Sequence, residues 1–128
     1  MRYLAALLLA VLSISPAYAA GDPAAGEVVF KKCAQCHMIG PDAHTKVGPE
    51  LNGLIGRPSG SIDGFNYSDA MKNAHLTWDV TTFETYIADP KALVPGTRMS
   101  FGGLKDQQDI KDLVAYLSQF AADGSKMP

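Results

Sequence analysis

The sequence is poor in several features that whole classes of protein require. It has only two cysteines in 128 residues, which excludes a disulfide-dense mini-protein. Its 11 lysines and arginines do not outnumber its 13 aspartates and glutamates, so the net charge of −2 argues against a nucleic-acid-binding protein. The length excludes a multidomain enzyme and suits one domain. With 47% hydrophobic residues, however, the chain is too apolar to be disordered.

Residues 1–19 have the layout of a secretory signal peptide. Arg2 supplies a positive charge ahead of an apolar run over residues 4–12, and Pro16 ends that run. The small residues Ala17 and Ala19 suit signal peptidase, with cleavage after Ala19. An uncleaved membrane anchor is the alternative, but a spanning helix needs about 20 apolar residues, and neither this run nor any later segment is long enough. We therefore expect one exported domain over residues 20–128, without stable membrane insertion.

Four helices and no strand of useful length are expected in that domain. The predicted N-caps are Asp22 before a first helix that runs toward the cysteines, Ser68 before a short helix over residues 69–73, and Thr81 or Thr82 before a third that ends at residues 89–90. The last helix is the clearest, because Asp106 and Asp109 lie near its N-terminus and its apolar residues recur at helical spacing. Those apolar residues are Ile110, Leu113, Val114, Leu117 and Phe120.

The segment over residues 40–64 is rich in glycine and proline and lacks apolar periodicity, so it is expected to be mostly loop. Loops of this length are uncommon in compact domains unless something organises them. Four modest helices joined by such loops also make a poor core for a small domain. A large apolar cofactor would supply the missing core.

The chemistry is expected at residues 33–37, which read CAQCH. Two thiols three positions apart at a helix end, those of Cys33 and Cys36, can both reach the vinyl groups along one side of a haem and form thioethers. The adjacent His37 then lies under the iron and supplies an imidazole nitrogen as the proximal ligand. The spacing therefore predicts covalent attachment of one haem c.

Three other uses of the cysteine pair fit less well. A thioredoxin-like redox pair needs a βαβ context, which the pattern lacks. A zinc site needs further cysteines or closely spaced histidines, whereas His44 and His75 are far apart. Export favours a disulfide, but residues three apart on a helix give it strained geometry.

The sixth position of the iron needs a second ligand. The candidates are Met38, Met71, Met99, Met127, His44 and His75. Met38 adjoins His37 and cannot reach the opposite face, and Met127 lies in a tail expected to be poorly ordered. Met71, on its short predicted helix, is expected to have an ordinary packing role. The two histidines are expected to be exposed to solvent. Met99 follows the turn-rich residues 95–98, which can project one side chain inward, so it is slightly favoured among the six candidates.

Further motifs accompany CAQCH. They are VGP at residues 47–49, GR at 56–57, DPK at 89–91, PGTRM at 95–99 and LVAYL at 113–117, together with Gly21, Asp22, Leu51, Gly53, Leu54, Trp78 and Tyr86. With these motifs, residues 30–120 closely resemble class I cytochrome c, in particular the bacterial periplasmic members most like mitochondrial cytochrome c. The interval between His37 and Met99 needs no insertion or deletion against the mitochondrial type. The resemblance implies an all-α fold of a few helices and long loops wrapped around one covalently attached haem.

The resemblance also implies individual roles. His37 and Met99 would be the axial ligands, and the Pro49 carbonyl would accept a hydrogen bond from the other ring nitrogen of His37. The expected partners of the haem propionates are Arg57, Tyr67 and Trp78. The expected polar groups near the methionine are Tyr86 and Thr97. The terminal helices are expected to cross at Gly26 and Tyr116. Two residues depart from the family: Phe65 stands where Tyr is common and Met71 where Asn is common, which removes hydrogen-bonding capacity near the haem.

Function follows from this ligation. With both axial positions filled, the iron has no open site for oxygen or peroxide, and the thioether favours Fe(II) and raises the potential. The resemblance thus implies a soluble, monomeric one-electron carrier of the periplasm, working between periplasmic or membrane redox complexes, and not an enzyme. The alternatives are a haem peroxidase or nitrogen-oxide-handling enzyme, which would need Met99 to leave the iron, and a gas sensor.

The charge pattern predicts a docking face for redox partners. Residues 91–105 contain three basic residues and no acidic one, whereas the last helix and tail are richer in aspartate. Positive charge gathered around the cofactor of an acidic protein gives a dipole that steers it to acidic partners. The basic residues assigned to this face are Lys32, Lys46, Lys91, Arg98 and Lys105. The alternative is charge scattered for solubility.

Overall fold

The computed structural model describes residues 21–127, so the predicted signal peptide lies outside the described residues. In this described part of the chain, five helices follow one another: α1 (Pro23–Phe30), α2 (Asp69–Lys72), α3 (Val80–Ala88), α4 (Pro90–Leu93) and α5 (Gln107–Leu117). Within residues 21–127 there is no strand, only two isolated antiparallel bridges, Pro58 with Thr77 and Phe120 with Lys126. The all-α prediction is therefore confirmed. No helix in this part of the chain has the length and apolar character needed to cross a membrane.

The predicted caps of α1 and α2 are confirmed, whereas that of α3 is not. Asp22, Ser68 and Asp106 cap α1, α2 and α5 through their side-chain oxygens. The expectation that Thr81 or Thr82 caps α3 is wrong. The cap is Asp79, whose carboxylate accepts a hydrogen bond of 2.8 Å from the Thr82 backbone N–H. An aspartate is at least as good a cap as a threonine, and here it starts the helix two or three residues earlier.

α1 and α5 cross at Gly26. A Cβ at Gly26 would collide with the Asp112 carbonyl and lie 2.7 Å from Cβ of Tyr116, so the missing side chain is what permits the contact. The Tyr116 ring packs against Phe30 at 5.5 Å between centroids. The buried Asp112 carboxylate accepts a hydrogen bond of 2.8 Å from the Asp22 N–H. The predicted crossing of Gly26 with Tyr116 is confirmed.

The apolar face of α5 is the centre of the core. Ile110, Leu113 and Leu117 are each only 1% exposed. α5 ends at Leu117, so Phe120 lies beyond the helix rather than on it, although it is buried against Tyr116. The tail turns back after Phe120.

The C-terminal tail is tied to the fold, contrary to expectation. The Met127 N–H donates a hydrogen bond of 2.7 Å to the Gln119 carbonyl, next to the bridge of Phe120 with Lys126. The tail therefore pairs antiparallel with the residues that follow α5. This pairing holds Met127 on the surface of the molecule, where its side chain is exposed.

Candidate functional site

The helices and loops enclose a cavity of about 620 Å³. All ten residues predicted for the site line it: Cys33, Cys36, His37, Pro49, Arg57, Tyr67, Trp78, Tyr86, Thr97 and Met99. They come from separate stretches of sequence between residues 33 and 99, which only the fold brings together. The volume falls in the range of about 300–1,000 Å³ that is usual for small-molecule and cofactor sites.

The cysteine wall of the cavity is formed by the turns that follow α1. The Cys36 and His37 N–H groups donate to the Cys33 carbonyl at 3.1 and 3.0 Å, which brings the three residues onto one wall. The two thiols are not joined to each other. Burial raises the pKa of the Cys33 thiol, the neighbouring Cys36 adds to the rise, and Lys32 opposes it. The pair is therefore available as two thiols facing the cavity.

His37 is held in one orientation. Its Nδ1 lies 2.7 Å from the Pro49 carbonyl oxygen. Since a carbonyl only accepts, Nδ1 carries the proton, and Nε2 keeps its lone pair. Burial lowers the pKa of His37, the Pro49 hydrogen bond opposes this, and the charge of Arg57 adds to the lowering. A neutral imidazole with one free nitrogen is the form that binds a metal ion.

Of the six candidates for the second ligand, the structure brings two to the cavity. Met71 and Met99 line it, whereas Met38 does not, and Met127 lines a separate surface groove. His44 and His75 are exposed and lie outside the cavity lining, in agreement with their expected solvation.

Met99 lies in a loop that is tied to α3. The Tyr86 hydroxyl is 2.9 Å from the Thr97 hydroxyl. The Thr97 oxygen also accepts a longer hydrogen bond, 3.4 Å, from the Met99 N–H. Burial raises the pKa of Tyr86, opposed by its bond to Thr97. The loop that carries Met99 is thus anchored to a buried side chain by two consecutive polar contacts.

The three predicted propionate partners also line the cavity. Trp78 and Arg57 are linked by a backbone hydrogen bond of 2.9 Å from the Trp78 N–H to the Arg57 carbonyl. Tyr67 and Trp78 are buried, and the Tyr67 hydroxyl accepts a bond of 3.0 Å from the Ile62 N–H. Burial lowers the pKa of the Arg57 guanidinium, with Glu50 opposing the shift. An arginine and a phenol are suitable donors for carboxylates.

The two departures from the family pattern lie in the cavity wall. Phe65 and Met71 both line it, and the Phe65 ring meets Tyr67 edge-on at 4.7 Å between centroids. Neither side chain offers a strong hydrogen-bonding group. The wall is therefore more apolar on this side than tyrosine and asparagine would make it.

Sequence reasoning missed most of the apolar wall. The additional lining residues include Phe30, Leu51, Leu54, Phe83, Ile87 and Phe101. The helical periodicity did identify Leu113 and Leu117, which face the cavity from α5 as well as the core. Loop residues such as Leu51 and Leu54 carry no periodic signal, and the family resemblance includes both without assigning either to the cavity wall.

The basic residues assigned to the docking face differ in their surroundings. Lys32 and Arg98 line the cavity. The ammonium groups of Lys46 and Lys105 donate to the carbonyls of Ala34 and Ala88, at 3.1 and 2.6 Å. All five assigned residues are exposed. The Nζ atom of Lys32 also lies 4.0 Å from Oδ2 of Asp109.

A haem fits this arrangement. The cavity has two free thiols and an imidazole nitrogen on one wall, a thioether elsewhere in its lining, and cationic and phenolic donors for carboxylates. Its remaining wall is largely aliphatic and aromatic, as a porphyrin face requires. Within residues 21–127 no three His, Cys, Asp or Glu side chains are grouped so that they could hold a metal ion.

Comparison with known proteins gives consistent matches. The family model described as Cytochrome c matches residues 23–121. The chain is 58% identical over 120 residues to a cytochrome c2 of Blastochloris viridis, covering 94% of both chains. It is 51% identical over 126 residues to a cytochrome c-554 of Methylosinus trichosporium, covering 98% of this chain and 96% of that one. A cytochrome c2 structure from Rhodospirillum centenum is similar with a TM-score of 0.76 and 43% identity, covering 79% of this chain and 99% of that one.

Proposed function

This chain belongs to the cytochrome c family, and from that premise we propose which of its residues bind the haem and its partners. It is a one-electron carrier with one covalently bound haem c, an electron-transfer protein and not an enzyme. We assign haem attachment to Cys33 and Cys36 and axial ligation to His37 and Met99. The observation that supports this assignment is that all four side chains line the same cavity.

The chain's own residues prepare the site for an electron carrier. Bound haem supplies a one-electron couple at its iron. The Pro49 carbonyl keeps the proton on Nδ1 of His37, so Nε2 is the nitrogen assigned to the iron. Apolar side chains such as Leu54 and Phe83 exclude water from the cavity. A water-poor cavity disfavours the more highly charged oxidised state, which raises the potential.

The residues on the methionine side act as positioning groups. The contact of Tyr86 with Thr97, and of Thr97 with the Met99 N–H, fixes the loop from which Met99 projects. The Tyr86 ring also packs on Trp78 at 4.9 Å between centroids. We assign Arg57, with its neighbours Tyr67 and Trp78, to the haem carboxylates.

The protein exchanges electrons with redox partners, and we propose that they dock on the face formed by Lys32, Lys46, Lys91, Arg98 and Lys105. Exposure of these residues and the place of Lys32 and Arg98 at the cavity support the proposal. Partners with an acidic surface would then approach the cofactor edge first. We further propose that the protein is a monomer, so that this face stays free.

We also propose that the protein works in the periplasm after removal of residues 1–19. The layout of that segment in the sequence supports export. The mass of the protein purified from the periplasmic fraction tests this point, since cleavage after Ala19 leaves Ala20 as the first residue. A full-length mass would contradict it.

Expression in cells that mature c-type cytochromes tests the attachment. We expect a pigment that stays with the protein in acidified organic solvent, and a methionine–iron charge-transfer band in the oxidised spectrum. The double variant Cys33→Ala with Cys36→Ala is expected to yield protein without covalent pigment. A wild-type protein that is colourless, or that releases its pigment to the solvent, would refute the proposed site.

A further inference from the structure

Arg57 has an internal carboxylate partner that does not itself line the cavity. The Glu50 carboxylate oxygen Oε1 lies 3.8 Å from Nη1 of Arg57, and the two side chains are only 18% and 12% exposed. Arg57 belongs to the cavity lining, whereas Glu50 stands behind it. A pair this sheltered is screened far less by salt than one on the surface.

The backbone of Asn52 holds both members of this pair. Its N–H donates a bond of 2.5 Å to Oε2 of Glu50, and its carbonyl accepts one of 3.1 Å from Nη1 of Arg57. Asn52 is fixed in turn, because its buried side chain pairs with the Gly40 N–H and carbonyl at 2.8 and 2.9 Å. Neither charge can turn away without breaking contacts of this loop. The ion pair is therefore built into the fold.

We propose that Glu50 is a positioning residue that holds the Arg57 guanidinium at the cavity wall and offsets its charge there, which lowers the reduction potential. The inference rests on the proposed function, because it takes Arg57 to face the haem carboxylates. A carboxylate fixed behind the cavity wall would stabilise the oxidised state of a haem bound there, because that state carries one more positive charge. Without Glu50, the charge of Arg57 acts on the cofactor unopposed and favours the reduced state.

Two properties separate this role from simple packing. Removing one member of a buried ion pair leaves the other uncompensated, whereas removing both is much less harmful. The stability lost in Glu50→Gln should therefore be partly regained in the double variant with Arg57→Gln. When Arg57 is absent, the guanidinium that Glu50 positions and offsets is gone, so only the direct effect of the Glu50 charge remains. Glu50→Gln should then shift the potential much less when Arg57 is already replaced.

The experiment measures equilibrium reduction potentials and thermal unfolding of the haem-loaded protein. Glu27→Gln is the matched control, since it removes the same charge from the exposed side of α1. We expect an upward shift of the potential in Glu50→Gln that clearly exceeds that of Glu27→Gln and shrinks in the Arg57→Gln background. We also expect the double variant to unfold at a higher temperature than Glu50→Gln.

Two outcomes would overturn the inference. One is equal potentials in Glu50→Gln and Glu27→Gln, and the other is an undiminished shift in the absence of Arg57. Either result, obtained on protein with a normal haem spectrum, would leave the proposed function intact. Failure of the proposed function would appear earlier, as loss of the covalent pigment in the wild-type protein. If Glu50→Gln does not fold, recovery of folding in the double variant supports the pairing, and failure of both refutes it.

Discussion

Gly48 lies so close to the imidazole of His37 that no side chain fits between them. A Cβ at Gly48 would collide with Cε1 of the ring and stand 2.7 Å from its Nδ1. The loop cannot easily withdraw, because the Gly48 N–H donates a bond of 2.8 Å to the Cys36 carbonyl. His37 is therefore held between the backbone of Gly48 and the carbonyl of Pro49, two consecutive residues of one loop.

Gly48→Ala should displace the His37 ring and destabilise the protein. Adding one methyl group to a filled space typically costs about 1–3 kcal/mol. We expect a lower unfolding temperature together with a changed haem absorption spectrum, since the ring can no longer keep both its Pro49 bond and its place in the cavity. Gly102→Ala is the control, because a Cβ there meets nothing within 4 Å. Equal effects of the two substitutions would show that Gly48 does not constrain the ring.

Met99→Ala should lower the reduction potential and let external ligands bind the iron. Loss of the thioether removes the ligand that favours Fe(II) and opens one axial position. Spectroelectrochemistry and titration with cyanide or imidazole measure the two effects. Met71→Ala is the matched control, since Met71 is the other methionine of the cavity. An unchanged potential in Met99→Ala, or loss of the charge-transfer band in Met71→Ala, would contradict the ligand assignment.

That Cys33, Cys36 and His37 lie together at one cavity could be predicted, because covalent haem attachment needs these residue types at short, fixed spacing. The helix caps at Asp22 and Ser68 were also predicted, since capping depends only on neighbouring residues. At α3 the same local rule failed, because only Thr81 and Thr82 were considered as caps, whereas Asp79 caps the helix. The short helix α4 was missed, because its four residues are too few for any periodic pattern.

Contacts between distant loops could not be predicted from local patterns. Glu50 reads as an ordinary loop carboxylate in the sequence, and its pairing with Arg57 depends on a turn that also fixes Asn52. The family resemblance supplied Arg57 but not its partner. Leu51 and Leu54 likewise enter the cavity wall only because the loop folds over it.

His75 adopts a backbone conformation that could not be predicted from the sequence. Its φ is +51°, in the left-handed region that most side chains avoid. A β-branched residue is especially strained there, so His75→Val should lower the free energy of unfolding by about 1–2 kcal/mol, while His75→Gly should be tolerated. His44→Val is the control on an exposed histidine without positive φ. Chemical denaturation measures the free energy of unfolding of each variant. Equal values for His75→Val and His75→Gly would show that the positive φ at residue 75 causes no strain.

Gly26→Val should disrupt the crossing of α1 with α5. The new side chain would meet the Asp112 carbonyl and Cβ of Tyr116, so the helices must separate and lose buried contacts. We expect a loss of about 3 kcal/mol or more in the free energy of unfolding, measured with denaturant. Ala24→Val is the matched control, because residue 24 is exposed on the same helix. A loss in Gly26→Val no larger than in the control would mean that the helices can cross without the glycine.

Reversing two charges on the proposed docking face should slow electron transfer while leaving the potential nearly unchanged. In Lys91→Glu with Lys105→Glu, an acidic partner is repelled, so the second-order rate falls and its dependence on ionic strength weakens or reverses. Lys111→Glu with Lys126→Glu changes the net charge equally at exposed positions on α5 and the tail. Stopped-flow kinetics against a purified redox protein with an acidic docking surface compares the two double variants over a range of salt concentrations.

Steering by a local face requires the variant at Lys91 and Lys105 to react clearly more slowly at low salt, and the rates of the two double variants should converge at high salt. Equal slowing would mean that net charge alone governs association, and the docking face would have to be abandoned.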